Sequence, residues 1–432
     1  MSAIQKRGRH TKSCERRRFL LVVIGCGGIL RGDAGYAQRQ DSLAGQGAAQ
    51  ALKRSIEAEQ YNLRCGPVRL KTGASVGVSY TDNVFYSHDR KDDLLIKPEI
   101  TLGALWPITE LNSLRLSLGL AYEWYLENRA LNGDAPLVNP GSELVFNLFV
   151  GDFRIRLHDR FSYQESLFFN SISGESVRFY NFNDVGTFSR MNNRAGFQVD
   201  WDLNKVVLSV GYDHENFIST TSAFEYLDRA SEWLTASAGF AIGDKAQTGL
   251  EAQASLHNYE RETILNDNWR ARGGPFVEVN PQEKISLRAG AGFDTARYDD
   301  VALSNSDYES YYVYARVGQE TRLFSHSLTA GREHALGDNA NNLRTTYVRY
   351  SISSPVVTHV DLGADLSVNF AEEFGGTFEE EFTYYGAGFR VGSQFHKFWR
   401  ADLGYEFRLK ESNLASRDFH RNRVTLALTY SF

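Results

Sequence analysis

Four basic side chains alternate along one short segment of the chain, 153–165. Arg154, Arg156, His158 and Arg160 occupy every second position, and a β-strand turns every second side chain toward the same face. No carboxylate shares that face of the segment. Because rings of arginine or lysine along a water-filled path favour anions, the spacing predicts an anion-selectivity feature at Arg154, Arg156 and Arg160.

Other charged residues occupy alternating positions in further segments of the chain. We predict that they face the same interior, and they include both signs: Arg270, Arg272, Arg288, Arg400, Glu251, Asp361, Asp365 and Asp402. Charges of both signs also solvate such an interior and pair across strands, so this purely structural interpretation stays open beside selectivity. Tyr125, Tyr312 and Tyr314 have the inward parity and would suit the stacking of a sugar.

Patterns that carry enzymatic or metal chemistry are absent from the sequence. The chain contains no metal-ligand spacing of Cys and His, no GxSxG, no phosphate loop and no dinucleotide-binding glycine pattern. His158 and Ser162 share a face, but such pairs arise readily in a polar interior. The acidic loop 371–381 and the segment 338–342 are candidate cation loops, although the latter lacks the calcium-loop ligand spacing. We therefore predict no enzyme, no cofactor and no metal.

We predict that β-strands position these residues, and the strand pattern is clearest in the last twelve residues, 421–432 (RNRVTLALTYSF). Apolar Val424, Leu426, Leu428, Tyr430 and Phe432 alternate with small or polar residues, as in a strand with one oily and one wet face. Such an edge would invite aggregation in a soluble protein, whereas in a closed barrel it pairs with the first strand. A terminal phenylalanine after alternating hydrophobics is similar to the ending of bacterial outer-membrane barrels, which implies recognition by the barrel-assembly machinery.

Period-two alternation continues from residue 69 to the end and predicts an all-β, up-and-down antiparallel transmembrane barrel of about eighteen strands, with sixteen as the alternative. The strands are predicted near 69–80, 93–106, 111–126, 142–150, 153–165, 193–202, 205–215, 231–242, 246–258, 267–279, 284–297, 309–322, 324–335, 342–353, 358–370, 380–393, 397–411 and 419–432. Short turns alternate with long polar loops, as in barrels of the outer membrane. An even strand number places both ends on the periplasmic side.

Tryptophan placement favours a membrane barrel over a soluble sandwich. Near strand ends, and with the outward parity, lie Trp106, Trp124, Trp201, Trp269 and Trp399, and we predict that with Phe432 they form the aromatic girdles at the membrane boundary. Trp233 has the opposite parity and is unexplained by this pattern.

The N-terminus predicts export. A basic segment precedes an apolar run of twelve residues, 19–30, which is shorter than the ~20 residues of a membrane-spanning helix. We interpret 1–37 as a signal peptide, 38–68 as a periplasmic segment with a short helix around 48–60, and 69–432 as the barrel. Two alternatives stay open: a twin-arginine signal at 16–18, and a lipoprotein signal that would make Cys26 the acylated N-terminus.

Charge and cysteine content exclude two further classes. Without residues 1–37 the chain keeps 39 basic and 51 acidic residues, a net charge of −12, which argues against a nucleic-acid partner. Cys65 would then be the one remaining cysteine, so no disulfide framework is predicted.

The segment 61–85 (YNLRCGPVRLKTGASVGVSYTDNVF) resembles the opening of the β-barrel porin 2 family of bacterial outer-membrane proteins. The resembling features are GP followed by x-R and a hydrophobic residue, a first strand of small residues, and TDNVF after it. Some members of that family are associated with exopolysaccharide assembly. The resemblance therefore implies a porin or a polysaccharide-export channel with periplasmic export components as partners, and it transfers no individual binding residue.

The leading hypothesis is an outer-membrane channel of a Gram-negative bacterium, in contact with lipid and lipopolysaccharide, that passes saccharides, anionic solutes or an exported polysaccharide. The aromatic-rich loop 166–192 is expected to fold inward and constrict it. A structural surface barrel with a blocked lumen and partner-binding loops is the second hypothesis, and an outer-membrane enzyme is the third.

Overall fold

The computed structural model describes residues 61–166, 187–243, 245–282, 284–299, 306–357, 359–376 and 379–431. The predicted signal peptide, the helix around 48–60, residues 167–186 of the long loop and Phe432 lie outside these residues. Within the described ranges, no helix is long and apolar enough to span a membrane.

Eighteen long strands account for most of the described chain, and the predicted number is confirmed. They are β1 (Val68–Thr81), β2 (Asp93–Pro107), β3 (Ser113–Ala121), β4 (Glu143–Val150), β5 (Phe153–Ser166), β6 (Thr187–Asp202), β7 (Val206–Ser219), β8 (Arg229–Ile242), β9 (Ala246–Tyr259), β10 (Asn268–Gln282), β11 (Ile285–Tyr298), β12 (Tyr308–Glu320), β13 (Ser325–Leu336), β14 (Asn342–Val357), β15 (Val360–Phe374), β16 (Glu380–His396), β17 (Trp399–Ser412) and β18 (Phe419–Ser431). Short strands at Leu63–Cys65, Trp124–Tyr125 and Leu137–Val138, and 3₁₀ turns at Arg129–Leu131, Ser222–Leu227 and Ala415–Arg417, complete these elements.

The sheet closes on itself. Each strand pairs antiparallel with the next, and β18 returns to β1 in a register that runs from Gly73 opposite Ser431 to Thr81 opposite Arg423. Closure satisfies the backbone donors and acceptors of both end strands, which hydrocarbon could not do. Because the side-chain period is two, the register decides which face of every strand is turned inward.

Three of the boundaries that differ from the predicted ones have a local cause. β3 stops at Ala121, because Leu137–Val138 folds back to pair with its end and Trp124–Tyr125 pairs separately with β2. β6 begins at Thr187 rather than 193, since polar residues on both faces hide the alternation there. β14 continues through Pro355, and its pairing register shifts between Pro355 and Val357. Proline is tolerated at such a bulge because its missing N–H is not needed there for a hydrogen bond between strands.

Connections differ between the two ends of the barrel. The short turns, including Gly151 and Gly243 with φ of +58° and +62°, lie at the end where β1 begins and β18 ends. Left-handed φ values are accessible to glycine without strain, so these two turns can be tight. The longer connections lie at the other end, which is the extracellular end of an outer-membrane barrel.

Apolar side chains cover the outer surface of the barrel. Phe293 is 83% exposed and Leu366 57% exposed, and exposed apolar residues recur on the outward face of β1, β7, β9 and β18. Water would disfavour such a continuous apolar belt, whereas lipid chains cover it at little cost. The chain is therefore an outer-membrane barrel of a Gram-negative bacterium, in contact with membrane lipid.

Candidate solute site in the lumen

A cavity of about 520 Å³ lies inside the barrel against β6 to β14. Its volume is typical of small-molecule pockets. Hydroxyl and amide side chains line it on β6 to β9, and charged and aromatic side chains line it on β9 to β14: Gln198, Ser209, Thr235, Ser237, Glu251, Gln253, Arg272, Arg288, Tyr312, Tyr314, Arg316 and Tyr347. Alternation brings these residues to the lumen, and the register of nine successive strands brings them to one cavity.

We use the name arginine–tyrosine wall for the arginine and tyrosine side chains that line the cavity on β10 to β14: Arg272, Arg288, Arg316, Tyr312, Tyr314 and Tyr347. The rings of Tyr312 and Tyr314 are almost parallel, with centroids 6.3 Å apart and planes 11° apart. The guanidinium carbon of Arg272 lies 5.7 Å from the ring centre of Tyr312. Arginine and tyrosine thus present cations, phenol hydroxyls and flat apolar faces to one space.

Glycines opposite the tyrosines allow their rings to lie along the wall. Gly290 is the register partner of Tyr314, and Gly331 that of Tyr347. A Cβ at Gly290 would lie 2.7 Å from the ring of Tyr314, and one at Gly331 would lie 2.9 Å from the hydroxyl of Tyr347. Both distances are too short for a non-bonded contact with a Cβ, so only glycine at these positions leaves room for the tyrosine rings.

One carboxylate lies among the wall's donors. Glu251 accepts hydrogen bonds from Arg288 at 3.1 Å, from Tyr314 at 2.9 Å and from Tyr312 at 3.3 Å. Arg288 also lies 3.5 Å from Glu278. Hydrogen bonds in which both partners are ionised are stronger than neutral ones, so the bond from Arg288 is the strongest of the three.

Neither of the other two wall arginines has a carboxylate partner in the part of the chain that the structure describes. Arg272 donates to the amide oxygen of Gln253 at 3.0 and 2.7 Å. Arg316 is exposed to the lumen and makes no hydrogen bond or ion pair with any residue that the structure describes. The cavity therefore has an excess of positive charge on this wall.

The basic cluster on β5 is offset in part by two carboxylates on neighbouring strands. Arg154 pairs with Asp200 of β6 at 2.5 Å, and both Arg156 and Arg160 pair with Glu143 of β4, at 2.5 and 3.1 Å. Such pairing follows from register, because the carboxylates face the lumen from adjacent strands. Strand-by-strand reading missed these two acids, since they lie outside the segment that carries the arginines.

His158 completes this cluster. Its Nε2 lies 2.6 Å from Asp213 of β7, whose second oxygen accepts from Arg194 at 2.6 Å. The predicted selectivity residues of β5 thus lie on the lumen side, together with acids of β4, β6 and β7.

The remaining predicted charges lie in two other places. Near the periplasmic end, Arg400 binds Asp361 and Asp402, each at 2.7 Å, while Asp365 lies farther along the same face of β15. Arg270 lies at the extracellular end and is 8% exposed. It donates to the Tyr298 hydroxyl at 2.7 Å and to Asn342 at 2.9 Å. Arg270 therefore holds a loop base and does not line the cavity.

The segment 338–342, considered as a cation loop, is instead the centre of a hydrogen-bond network between extracellular loops. The amide of Asn341 bonds with Asn266 at 2.9 Å and donates to Ser306 at 2.7 Å. Ser306 in turn donates to the carbonyl of Gly375 at 2.7 Å. Four loops are joined in this way. No group of three or more potential metal ligands occurs in the described ranges.

Aromatic side chains pack together at the extracellular mouth. We use the name mouth cluster for the buried residues Tyr86, Phe188, Phe217, Phe224, Leu227, Tyr259, Leu265, Tyr384 and Phe419. They come from β6, β7, β9 and their loops on one side, and from β16, β18 and the loop after β1 on the other. Because strands from opposite sides of the barrel contribute, the cluster crosses the mouth above the cavity.

Burial in these loops keeps phenols neutral. The pKa of Tyr86 is raised by burial, which outweighs the opposing effect of nearby Arg421. The pKa of Tyr226 in the loop 220–228 is raised by burial and by the carboxylates of Asp338 and Glu373. Neither hydroxyl ionises at neutral pH, so neither adds a negative charge at the extracellular mouth.

Five of the predicted boundary aromatics lie on the outer surface. Trp106, Trp124, Trp201, Trp269 and Trp399 are each 37–47% exposed. Trp201 stacks on Phe153 at 5.3 Å, and Trp399 packs on Tyr430 at 4.8 Å.

Trp233 faces the lumen and donates to Glu215 at 3.0 Å. This hydrogen bond accounts for its parity, because a buried indole N–H needs an acceptor.

No protein-family model and no curated protein matches this chain. Among solved structures, the outer membrane protein OpdK of Pseudomonas aeruginosa is 12% identical with a TM-score of 0.47, over 84% of this chain and 99% of that one. A BenF-like porin of Pseudomonas fluorescens Pf-5 is 11% identical with a TM-score of 0.49, over 84% and 99%. OccK2 (OpdF) of Pseudomonas aeruginosa, solved with glucuronate, is 9% identical with a TM-score of 0.48, over 84% and 98%. These similarities transfer no solute and no site.

Proposed function

We propose that this protein is an outer-membrane channel that passes small anionic solutes passively. The observation that carries the proposal is the arginine–tyrosine wall, in which Arg316 has no acidic partner within the described chain. An unpaired guanidinium beside a confined lumen attracts anions and repels cations more strongly than it would in open water. Each arginine of β5 lies against a carboxylate, so we expect it to contribute less to selectivity than Arg316 does.

The opposite side of the cavity suits a polyhydroxylated solute. Ser209, Thr235 and Ser237 offer hydroxyls and Gln198 an amide, while Tyr314 on the wall offers a ring face. Sugars bind through such combinations of hydrogen bonds and stacking. An anionic solute with hydroxyl groups would use both sides of the cavity at once.

Export of a polysaccharide is the more specific version, and it rests on the resemblance to the β-barrel porin 2 family alone. A polymer would have to pass the mouth cluster, whose Phe217 and Leu227 are fully buried. We therefore favour small solutes. Contact with periplasmic export components, and recognition of the last strand by the barrel-assembly machinery, are expectations of the same kind.

The mouth cluster also favours a second candidate, a structural surface barrel with a blocked lumen. In that case the extracellular loops would act as a rigid binding surface, held by the network around Asn341. Conductance distinguishes this candidate from the channel, because a blocked barrel carries no steady current.

The test is single-channel recording of the refolded full chain in a planar bilayer under a potassium chloride gradient. We expect a steady current whose reversal potential reports chloride preference. A variant without residues 167–186 is recorded in parallel. Current from the shortened chain alone would mean that this loop closes the channel. Silence from both forms would refute the channel and favour the structural candidate.

A further inference from the structure

The carboxylate of Glu251 lies inside the lumen at the point where three donors converge. These donors are Nη2 of Arg288 at 3.1 Å and the hydroxyls of Tyr314 at 2.9 Å and Tyr312 at 3.3 Å. Arg288 also donates to the Tyr314 hydroxyl oxygen at 3.3 Å, which leaves the O–H of Tyr314 to donate to the carboxylate. One guanidinium and two phenols around a single carboxylate form a built anion site.

The donors are held in place independently of Glu251. Tyr314 lies flat against Gly290, and Tyr312 is only 4% exposed and stacks on Tyr314. Arg288 has a second carboxylate, Glu278, at 3.5 Å, and its guanidinium carbon lies 4.8 Å from the ring centre of Phe276. Removal of Glu251 would thus leave the donors pointing at the same space.

Glu251 itself can be displaced. Its side chain is 23% exposed and borders the cavity, where water and solutes reach it. A carboxylate arriving from the lumen would find the same donors and, beside them, the unpaired guanidinium of Arg316. It would compete with Glu251 for these donors, because one carboxylate would replace another.

We propose that Glu251 is a built-in occupant of the channel's anion site, which a passing carboxylate must displace. The inference rests on the proposed channel function and adds to it a residue that sets affinity. A bound anion gains the donors of Arg288, Tyr312 and Tyr314 only after Glu251 leaves them. Glu251 therefore keeps binding weak, which suits a channel that must release its solute.

Acetate is the probe, because it is the carboxylate end of a glutamate side chain. Its affinity is measured by line broadening of ¹³C-acetate with the refolded full chain in detergent, a readout that does not need conduction. We expect Glu251→Ala to bind acetate roughly tenfold more tightly than the unsubstituted chain, the size of one charge-assisted hydrogen bond. In Glu251→Ala/Arg288→Ala this gain should disappear.

Glu143→Ala is the matched control. It removes the same charge beside two arginines, Arg156 and Arg160, but no tyrosine hydroxyl donates to Glu143 within the described residues. Equal gains in Glu143→Ala and Glu251→Ala, or no gain in either, would overturn the inference. If Glu251→Ala does not refold, Glu251→Gln is used instead, because it keeps the shape of the side chain without its charge. We expect a smaller gain in acetate affinity from Glu251→Gln. No gain from that variant would likewise overturn the inference.

The two proposals fail separately. Unchanged acetate affinity in Glu251→Ala, together with an anion-selective current from the unsubstituted chain, would leave the channel intact and remove the role of Glu251. Silence in the bilayer, together with the expected gain in acetate affinity, would leave an anion site in a barrel that does not conduct.

Discussion

Lumen arginines of this barrel differ by their partners rather than by their number. Arg154 has Asp200, and Arg400 has both Asp361 and Asp402. Arg316 has none among the described residues. A paired charge is partly cancelled at the distance of a passing ion, whereas an unpaired one acts in full. Selectivity should therefore depend on Arg316 more than on the denser cluster of β5.

The corresponding substitution is Arg316→Ala. We expect the chloride preference in a potassium chloride gradient to fall severalfold, since the wall loses its uncompensated charge. The double variant Arg154→Ala/Asp200→Ala removes one balanced pair and should leave the reversal potential nearly unchanged. A larger shift in the double variant than in Arg316→Ala would place the filter on β5 instead.

At the scale of elements, the extracellular loops act as one unit because their polar groups are shared. Asn341 lies on the loop between β13 and β14 and is 3% exposed. Its side chain accepts from the backbone of Asn266 at 2.9 Å and donates to Ser306 at 2.7 Å, so it joins three connections. A buried amide with all its partners in place rigidifies the structure around it.

Asn341→Ala should loosen this unit without unfolding the barrel. The buried N–H of Asn266 and the hydroxyl of Ser306 would each lose a partner, at a cost of about 1–3 kcal/mol per group. We expect faster proteolytic cleavage in the loops 260–267 and 299–307, with unchanged heat-modifiable mobility of the barrel on gels. Asn413→Ala, at an exposed loop position, is the control. Equal cleavage in both variants would argue against a shared unit.

At the scale of the whole molecule, the apolar belt and its tryptophans define how the barrel sits in the membrane. Trp106, Trp201 and Trp399 lie on the outer surface near the periplasmic end, and Trp124 and Trp269 near the extracellular end. Two aromatic levels on one closed surface correspond to the two boundaries of the hydrocarbon layer.

Chains that keep a single tryptophan, with the other five replaced by phenylalanine, test this placement. Lipids brominated along their chains should quench the fluorescence of Trp106 and Trp201 strongly. Trp233 should be quenched little, because it faces the lumen and donates to Glu215. Strong quenching of Trp233 would mean that the inward and outward faces of β8 are assigned the wrong way round.

Much of the architecture could be predicted from the sequence, because alternation is a local property. The inward parity of Arg154 and Arg288, the outward parity of Trp201, and the eighteen strands all follow from a period of two read along each segment. Where both faces are polar, as in the first residues of β6, the alternation is hidden and the predicted start was six residues late.

The candidate site required tertiary structure, because a strand's own sequence does not contain its register. Glu143 and Asp200 pair with the arginines of β5 only through the alignment of three strands. Gly290 faces Tyr314, and Glu251 reaches Arg288 from two strands away, for the same reason. Alternation along the sequence indicates the inward face of most strands. Tertiary structure decided which of them meet, since pairing depends on hydrogen-bond register and on barrel closure.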